Sequence, residues 1–298
     1  MSYSQRTAKP EDAVAVAELI YAYDAAVVDD PERLSEKDAL DWWRRLVEDG
    51  KTVVETGDGS LAGYGAVMKD GPVYAAFNFV HPEHTGQGIG SLLLDWSEGL
   101  ARKHGVGVLR VTTLALDTAA HRLLEARGYR YLRSSYRMVI DLDGPPAAPE
   151  WPAGFALATL QAGEERVLHT ALEEAFADHW DYHPETYEEW STGWDLEPSL
   201  CFLVRDEDEI AAAEICQRER FGMGVVGVLG TRPAWRRRGL GRALLLHAFG
   251  ELFARGQRRI GLGVDAENTT GAVRLYERAG MRVAWQSDTY EKQLAPVP

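Results

Sequence analysis

The chain has 298 residues, 45% hydrophobic and 26% charged, long for one compact domain and comfortable for two of about 150 residues each. A formal net charge of −14 excludes an extended nucleic-acid surface, which needs clustered Lys and Arg against phosphates, and suits an enzyme with a cationic substrate. The start MSYSQRTAKPEDA lacks a basic-then-apolar signal, no apolar run approaches membrane length, and two cysteines (Cys201 and Cys216) make neither a disulfide framework nor a CxxC site; the expectation is a cytoplasmic protein with no membrane partner.

In chain order, TAKPEDAVAVAELIYAYDAA carries apolar residues at helical spacing behind a Pro-Glu-Asp start. TVVETGDGSLAGYGAVM reads as a β-hairpin, two apolar runs around an acidic glycine turn, and VYAAFNFV as a further strand. A turn, VHPEHTGQGIG, opens the helix SLLLDWSEGLARKHG; strand VGVLRVTTLAL, helix AAHRLLEARGY and strand YLRSSYRMVIDL follow. DGPPAAPEWPAG then breaks all periodicity, as a linker does when proline removes donors and fixes extended turns.

Beyond the linker the order recurs: helix LQAGEERVLHTALEEAFADH, hairpin CFLVRDEDEIAAAEICQ and strand GVVGVLGT. Turn TRPAWRRRGLG, helix RALLLHAFGELFARG, strand RRIGLGVDA, helix AVRLYERAGM and strand RVAWQSDTYEKQL complete it. Thr85 and Arg236 lie 151 residues apart, Gly128 and Gly280 152, so the register is kept across several elements and the chain reads as an internal duplication. The order β, α, α, β, β, β, α, β, α, β in each half predicts a mixed α/β fold, helices against one mostly antiparallel sheet. The expected division is 1–142, a linker at 143–153, and 154–298.

Each copy turns from strand to helix through Gly-x-Gly. A helix start exposes unpaired amides and about half a positive charge, and glycines let a bulky phosphate approach them. In the second copy Arg236, Arg237 and Arg238 precede Gly239 and Gly241, and Arg242 follows, a combination that favours a polyanion. A solvated basic turn explains the same residues. There is no Gly-Lys-Ser/Thr for a P-loop, and neither copy reads G-x-G-x-x-G.

Arg236-Arg237-Arg238-Gly239-Leu240-Gly241 resembles the [Arg/Gln]-x-x-Gly-x-[Gly/Ala] turn of GNAT acyltransferases, and NTTGAVRLYERAGM resembles their Asn…Ala-x-x-Leu-Tyr-x-x-x-Gly block. The resemblance covers the whole chain, once per half, and the two-domain layout is similar to that of mycothiol synthases. It implies acetyl-CoA as cosubstrate, its pyrophosphate on the amides of Arg238 to Arg242 and its pantetheine arm between strands GVVGVLGT and RRIGLGVDA, splayed apart there. Amides around Leu229, Gly230 and Thr231 would pair with the arm, one of them polarising the thioester carbonyl, and Asn268 would bond the arm. Tyr276 would protonate the departing thiolate; its spacing alone also fits a core aromatic on an amphipathic helix.

The first copy keeps Gly86, Gln87, Gly88 and Gly90 after Val80, residues able to cradle a phosphate, but Thr85 replaces the leading Arg or Gln. Leu124 stands where Tyr276 does, and Asp117 is the nearest counterpart of Asn268. Catalysis is therefore expected in the second half and a structural or cofactor-holding role in the first.

Mycothiol-synthase-like enzymes place a Glu on the strand entering the glycine turn; here RFGMGVVGVLG has no acid, and Glu214 in the neighbouring strand is the substitute for the general base. A Glu at a solvated sheet edge reads equally well. Residues 164–197 hold eleven acids against one Arg166, interleaved with aromatics; Asp178, Trp180, Asp181 and Tyr182 are the expected contacts of a cationic primary amine. Solvated helix faces over core aromatics give the same pattern. His179 and His183 stand four apart without a third ligand, so no metal is expected. Transfer would be direct, Cys216 being the only rival nucleophile. A non-catalytic acyl-CoA sensor is the alternative of a different class.

Overall fold

The computed structural model describes residues 2–295, and in it the duplication is one of elements. The first series is β1 (Tyr3–Thr7), α1 (Ala13–Val27), α2 (Glu36–Trp43), β2 (Leu46–Thr56), β3 (Leu61–Asp70), β4 (Val73–Val80), α3 (Ile89–Lys103), β5 (Val108–Leu114), α4 (Thr118–Ala126) and β6 (Arg130–Asp141). The second is β7 (Ala156–Thr159), α5 (Glu165–Phe176), α6 (Tyr187–Thr192), β8 (Cys201–Asp206), β9 (Glu209–Arg220), β10 (Met223–Thr231), α7 (Leu240–Ala254), β11 (Arg259–Asp265), α8 (Ala272–Arg278) and β12 (Arg282–Gln293). The order is that read from the sequence, and the class is mixed α/β.

Two units form. One holds the chain to Tyr136, Asp265–Glu267 and the chain from Trp285 on; the other holds Arg137–Val264 and Asn268–Ala284. The closing strands are exchanged with respect to the linear halves: in the first unit β12 runs antiparallel to β5, from Ser287 opposite Leu114 to Gln293 opposite Val108.

In the first unit β1 to β4 form an antiparallel meander, and β5 lies parallel to β4, as a helical crossover through α3 requires. Alternation along β2 divides the core. Val53 packs with Ala13, Val16, Leu19 and Ile20 of α1 on one face, and Val54 packs with Ile89 and Leu93 of α3 on the other. Ser35 and Asp38 cap α2 reciprocally, and Trp43 at its end donates Nε1–H to the buried Tyr64 hydroxyl at 2.8 Å.

In the second unit β7, β8, β9 and β10 pair antiparallel in turn, β11 runs parallel to β10, and the part of β6 from Arg137 lies beside β11. Leu168 and Leu172 of α5 pack on Leu203, Ala213 and Ile215. Helix α7 is apolar nearly all round and correspondingly buried: Leu240, Ala243 to Leu246, Ala248, Phe249 and Leu252 are all inside. The linker composition hides packing. Trp151 sets its ring edge-on to His247 of α7, centroids 6.0 Å apart, and a Cβ at Gly239 would lie 3.7 Å from Pro152.

Candidate active site

The glycine turn of the second unit keeps its helix start open. Gly239 caps α7 at φ 87°, and the first intrahelical bond runs from Ala243 N to Gly239 O at 3.1 Å, so the amides of Leu240, Gly241 and Arg242 precede the ladder. Arg237 itself is left-handed (φ 62°), a conformation costing a side-chain-bearing residue about 1 kcal/mol. The equivalent position of the first turn is Gly86 (φ 78°), and Gly88 (φ 84°) caps α3 as Gly239 caps α7. The backbone cradle is thus duplicated and the charge is not: Arg237, Arg238 and Arg242 are exposed around the second turn, where the first has Gly86, Gln87 and Ser91. Arg238 stands 6.0 Å over the ring of Phe155. Gly90 has a packing reason, since a Cβ would lie 3.1 Å from Leu123, whereas at Gly241 it would make only ordinary contact with Leu275 at 3.5 Å. Val80 is likewise a packing residue, set against Ile89 and Leu93.

The strands leading into the two turns differ. β4 pairs one-to-one with β3 from Asp70–Val73 to Gly63–Val80, and with β5 at four positions, Tyr74–Leu109 to Phe77–Thr112. β10 pairs with β11 at only two, Gly224–Ile260 and Val225–Gly261. Immediately beyond, two residues of β10 step against one of β9: Val226 faces Cys216 and Val228 faces Ile215, with Gly227 as the extra residue of a bulge. The offset between halves records this insertion, 150 residues from Tyr74 to Gly224 and 151 from Leu109 to Ile260. Among the described residues, the β10 edge turned from β9 has no strand partner from Val226 to Thr231, the parting expected where a pantetheine arm would lie.

Leu229, Gly230 and Thr231 are on that stretch, opposite Glu214, Ala213 and Ala212. Gly230 also has a packing reason: a Cβ would come to 3.0 Å from both Ala175 and Phe176, so α5 crosses β10 there. Gly227 does the same for Trp194, whose ring would meet a Cβ at 2.8 Å. Sequence reading passed over Gly227 and counted Trp194 only among the aromatics of the acidic run; a glycine inside a strand pattern is the signal that marks a bulge or a close approach.

Glu214 is 0% exposed, and neither carboxylate oxygen has a hydrogen-bond partner. Because Ala213 and Ile215 face α5, alternation turns Glu214 to the opposite face, toward Tyr276 of α8. The solvated-edge reading is thereby removed. Burial raises the Glu214 carboxyl well above the ordinary carboxylate range. Tyr276, 8% exposed, has its phenol pushed up to about 12 by burial and by the Glu214 charge, so it holds its proton at neutral pH. Cys216 is buried, and burial with the same carboxylate lifts its thiol far from the thiolate form a nucleophile requires.

Asn268 turns its side-chain oxygen back to the start of α8, accepting from Thr270 N (2.9 Å), Thr270 Oγ1 (2.6 Å) and Ala272 N (3.4 Å). Asp117 performs the same capping task on α4, accepting from Ala119 N and Ala120 N, and takes a third bond from Tyr23. The block containing Asn268 therefore has a structural reason in both halves; only the amide brings side-chain N–H donors.

Among the four expected amine contacts the acids are engaged. Asp178 takes both terminal nitrogens of Arg236, which holds its carboxyl below the usual range, so it does not present an uncompensated charge to an incoming cation. Asp181 lies 3.4 Å from His183 Nε2. Tyr182 is beside Glu173, and burial with that carboxylate raises its phenol. Trp180 is half exposed. The acidic run is largely internal wiring: Glu164 pairs with Arg205, Glu188 with Arg166, Glu174 with Arg232, and Glu189 closes a capping box with Thr186. Among the described residues no three metal-ligating side chains come together, and no helix is long and apolar enough to cross a membrane.

A turn with open amides under arginines thus stands at the end of a strand parted from its parallel neighbour, in the half that also holds a buried phenol. The model of the acetyltransferase (GNAT) family matches the chain twice, over residues 17–129 and 165–281. The chain belongs to the GNAT acetyltransferase family, as a tandem member. It is 31% identical over 293 residues to the mycothiol acetyltransferase of Streptomyces scabiei, covering 95% of this chain and 91% of that one. The mycothiol acetyltransferase of Thermobispora bispora is 33% identical over 220 residues, 70% and 72% of the two chains. Among solved structures, a GCN5-related N-acetyltransferase from Sphaerobacter thermophilus matches at 36% identity and a TM-score of 0.85 over 99% and 97% of the chains. A tandem GNAT protein from the clavulanic acid biosynthesis pathway shares the fold over both full lengths, with a TM-score of 0.75 at 17% identity.

Proposed function

We propose that the chain moves an acetyl group from acetyl-CoA directly to the primary amine of a small molecule, and that residues of the second half carry the reaction. The observation behind this reading is an asymmetry: the longer parting of strands and the buried Glu214, without a hydrogen-bond partner, occur with Tyr276 where the arginine-flanked turn does, while the first half pairs β4 with β5 two residues further and has Leu124 for the phenol. The linear division 1–142, 143–153 and 154–298 is retained as the functional one, and a cytoplasmic location goes with it.

Bound acetyl-CoA would supply the activated acyl group. The amides of Leu240, Gly241 and Arg242, with Arg237, Arg238 and Arg242, hold its phosphates; the β10 backbone at Leu229 to Thr231 aligns the arm; Asn268 donates to it. Glu214, once deprotonated, is a stronger base than an ordinary carboxylate because of its raised pKa, and it accepts the amine proton by way of water through the gap beside β10. Tyr276, protonated at neutral pH, donates its proton to the leaving sulfur.

A cationic acceptor is supported by the net charge more than by Asp178 and Asp181, which are paired. Extended identity with mycothiol acetyltransferases favours an acceptor of their kind, and the absence of a carboxylate on β10 opposes it. Thiol release from acetyl-CoA over a panel of amines, the acceptor of those relatives included, decides between these. If no amine raises release above background hydrolysis, the transferase reading fails in favour of an acyl-CoA sensor.

A further inference from the structure

Arg236 opens the phosphate-turn motif, yet its guanidinium is committed elsewhere. Nε donates to Thr231 O at 3.1 Å, and Nη2 donates to Ala175 O at 2.9 Å and to Asp178 Oδ1 at 2.7 Å, while Nη1 donates to Asp178 Oδ2. One side chain thus binds the last residue of β10, the final turn of α5 and the residue after its C-cap. Arg232, at the start of the same turn, adds Glu174 at 2.7 Å and Glu209 and Ile210 O, each at 3.0 Å.

The physical need is specific. A helix end leaves its last carbonyls without amides, and a cation there meets the negative end of the dipole. Arg236 supplies that cation to Ala175 O from the turn itself. In the first unit His81 and Thr85 occupy the places of Arg232 and Arg236, so no guanidinium is present at either position. The brace therefore accompanies the half that has Tyr276 and the parted strands.

We infer that Arg236 is a positioning residue that ties the segment 177–186, which follows α5, to the end of β10 and the phosphate turn, so that a nucleotide seated on the turn orders the acceptor side. The inference rests on the acyl-CoA reading for the identity of that nucleotide. The Arg236 and Asp178 side chains are 26% and 53% exposed, and pairs this wet contribute little to global stability. What the brace fixes is direction: a planar guanidinium held at three points allows one orientation of the α5 end relative to the turn. Coupling of this kind is reciprocal, so an ordered acceptor side also favours the occupied turn.

Hydrogen exchange of the full chain, with and without acetyl-CoA, tests this in wild type, Asp178→Ala and Asp178→Glu. Acetyl-CoA is expected to slow exchange at 236–243 in all three. At 177–186 it should slow exchange about five- to tenfold in wild type, not at all in Asp178→Ala, and largely again in Asp178→Glu. A merely structural pair would loosen 177–186 equally with and without the ligand. Equal protection of 177–186 in wild type and Asp178→Ala, or none in wild type while 236–243 is protected, overturns the inference. Should acetyl-CoA protect neither segment, the acyl-CoA reading is what fails. The unliganded chain then decides the brace: Asp178→Ala must speed exchange at both 177–186 and 232–238, and unchanged rates there sink it.

Discussion

Tyr276 and Leu124 occupy the same place in two copies of one helix: each gives its carbonyl to the amide five residues on, Met281 and Tyr129, at 3.0 Å in both. The helices end in the same hydrogen-bond pattern, and each buries one residue, a leucine in one and a phenol in the other. Tyr276→Phe is expected to lower turnover by about 10²–10⁴ while acetyl-CoA affinity stays within about twofold, because a phenol acting only as an acid adds little to ground-state binding. A wild-type rate would remove Tyr276 from the mechanism.

Glu214 gives the pH dependence. Its folded pKa lies well above the unfolded carboxylate value, so kcat should rise with pH through a limb far above the ordinary carboxylate range, and Glu214→Gln should lose both that limb and most of the rate. Stability runs in the other sense. With the folded pKa raised, the folded chain binds the extra proton; the contribution is full below the unfolded pKa and is lost as pH rises through the folded one. Glu214→Gln should therefore melt progressively higher than wild type as pH increases. Parallel Tm curves for the two proteins would show that the carboxyl is not held protonated.

The two capping glycines allow a controlled comparison. Gly88 and Gly239 have φ of 84° and 87°, and nothing near either forbids a side chain sterically, the closest atom being Pro152 at 3.7 Å from Gly239. Valine at either should cost a similar 1–2 kcal/mol or so in stability through the left-handed backbone. Only Gly239→Val should abolish transfer, and Gly88→Val should leave turnover largely intact. Equal losses of rate would place catalysis in both halves or in neither.

Gly227→Ala puts a Cβ 2.8 Å from the Trp194 ring, so the ring or the bulge must shift. The expected result is at least a tenfold fall in kcat/KM at near-normal acetyl-CoA affinity, relieved in part by adding Trp194→Ala. If the double variant is worse than Gly227→Ala alone, the ring is not what the alanine displaces.

Periodicity and turn residues made the repeat legible, down to the identity of element order in both halves, because amphipathic spacing, proline and glycine act over a few residues at a time. The parting of β10 from β11 was inferred from resemblance and could not be read from GVVGVLGT; it depends on register against β9, where one glycine without a partner advances the strand by a residue. The acidic run from Glu164 to Glu197 misled for a related reason. Composition reveals charge, but Arg205, Arg232 and Arg236, which neutralise it, come from strands and a turn far along the chain. Glu214 stood out as a carboxylate among apolar neighbours, yet its solitude became visible only with every atom around it in place.

The exchange of closing strands has a temporal side. β12, whose residues from Trp285 on belong to the first unit, leaves the ribosome after every other described strand, and until then β5 lacks its native neighbour on that side. A chain stopped at the linker would lack β12 and leave β5 to pair with another strand, its own β6 or that of a second chain. Duplication here has not produced two independent parts. The first copy draws its strand beside β5 from the end of the second.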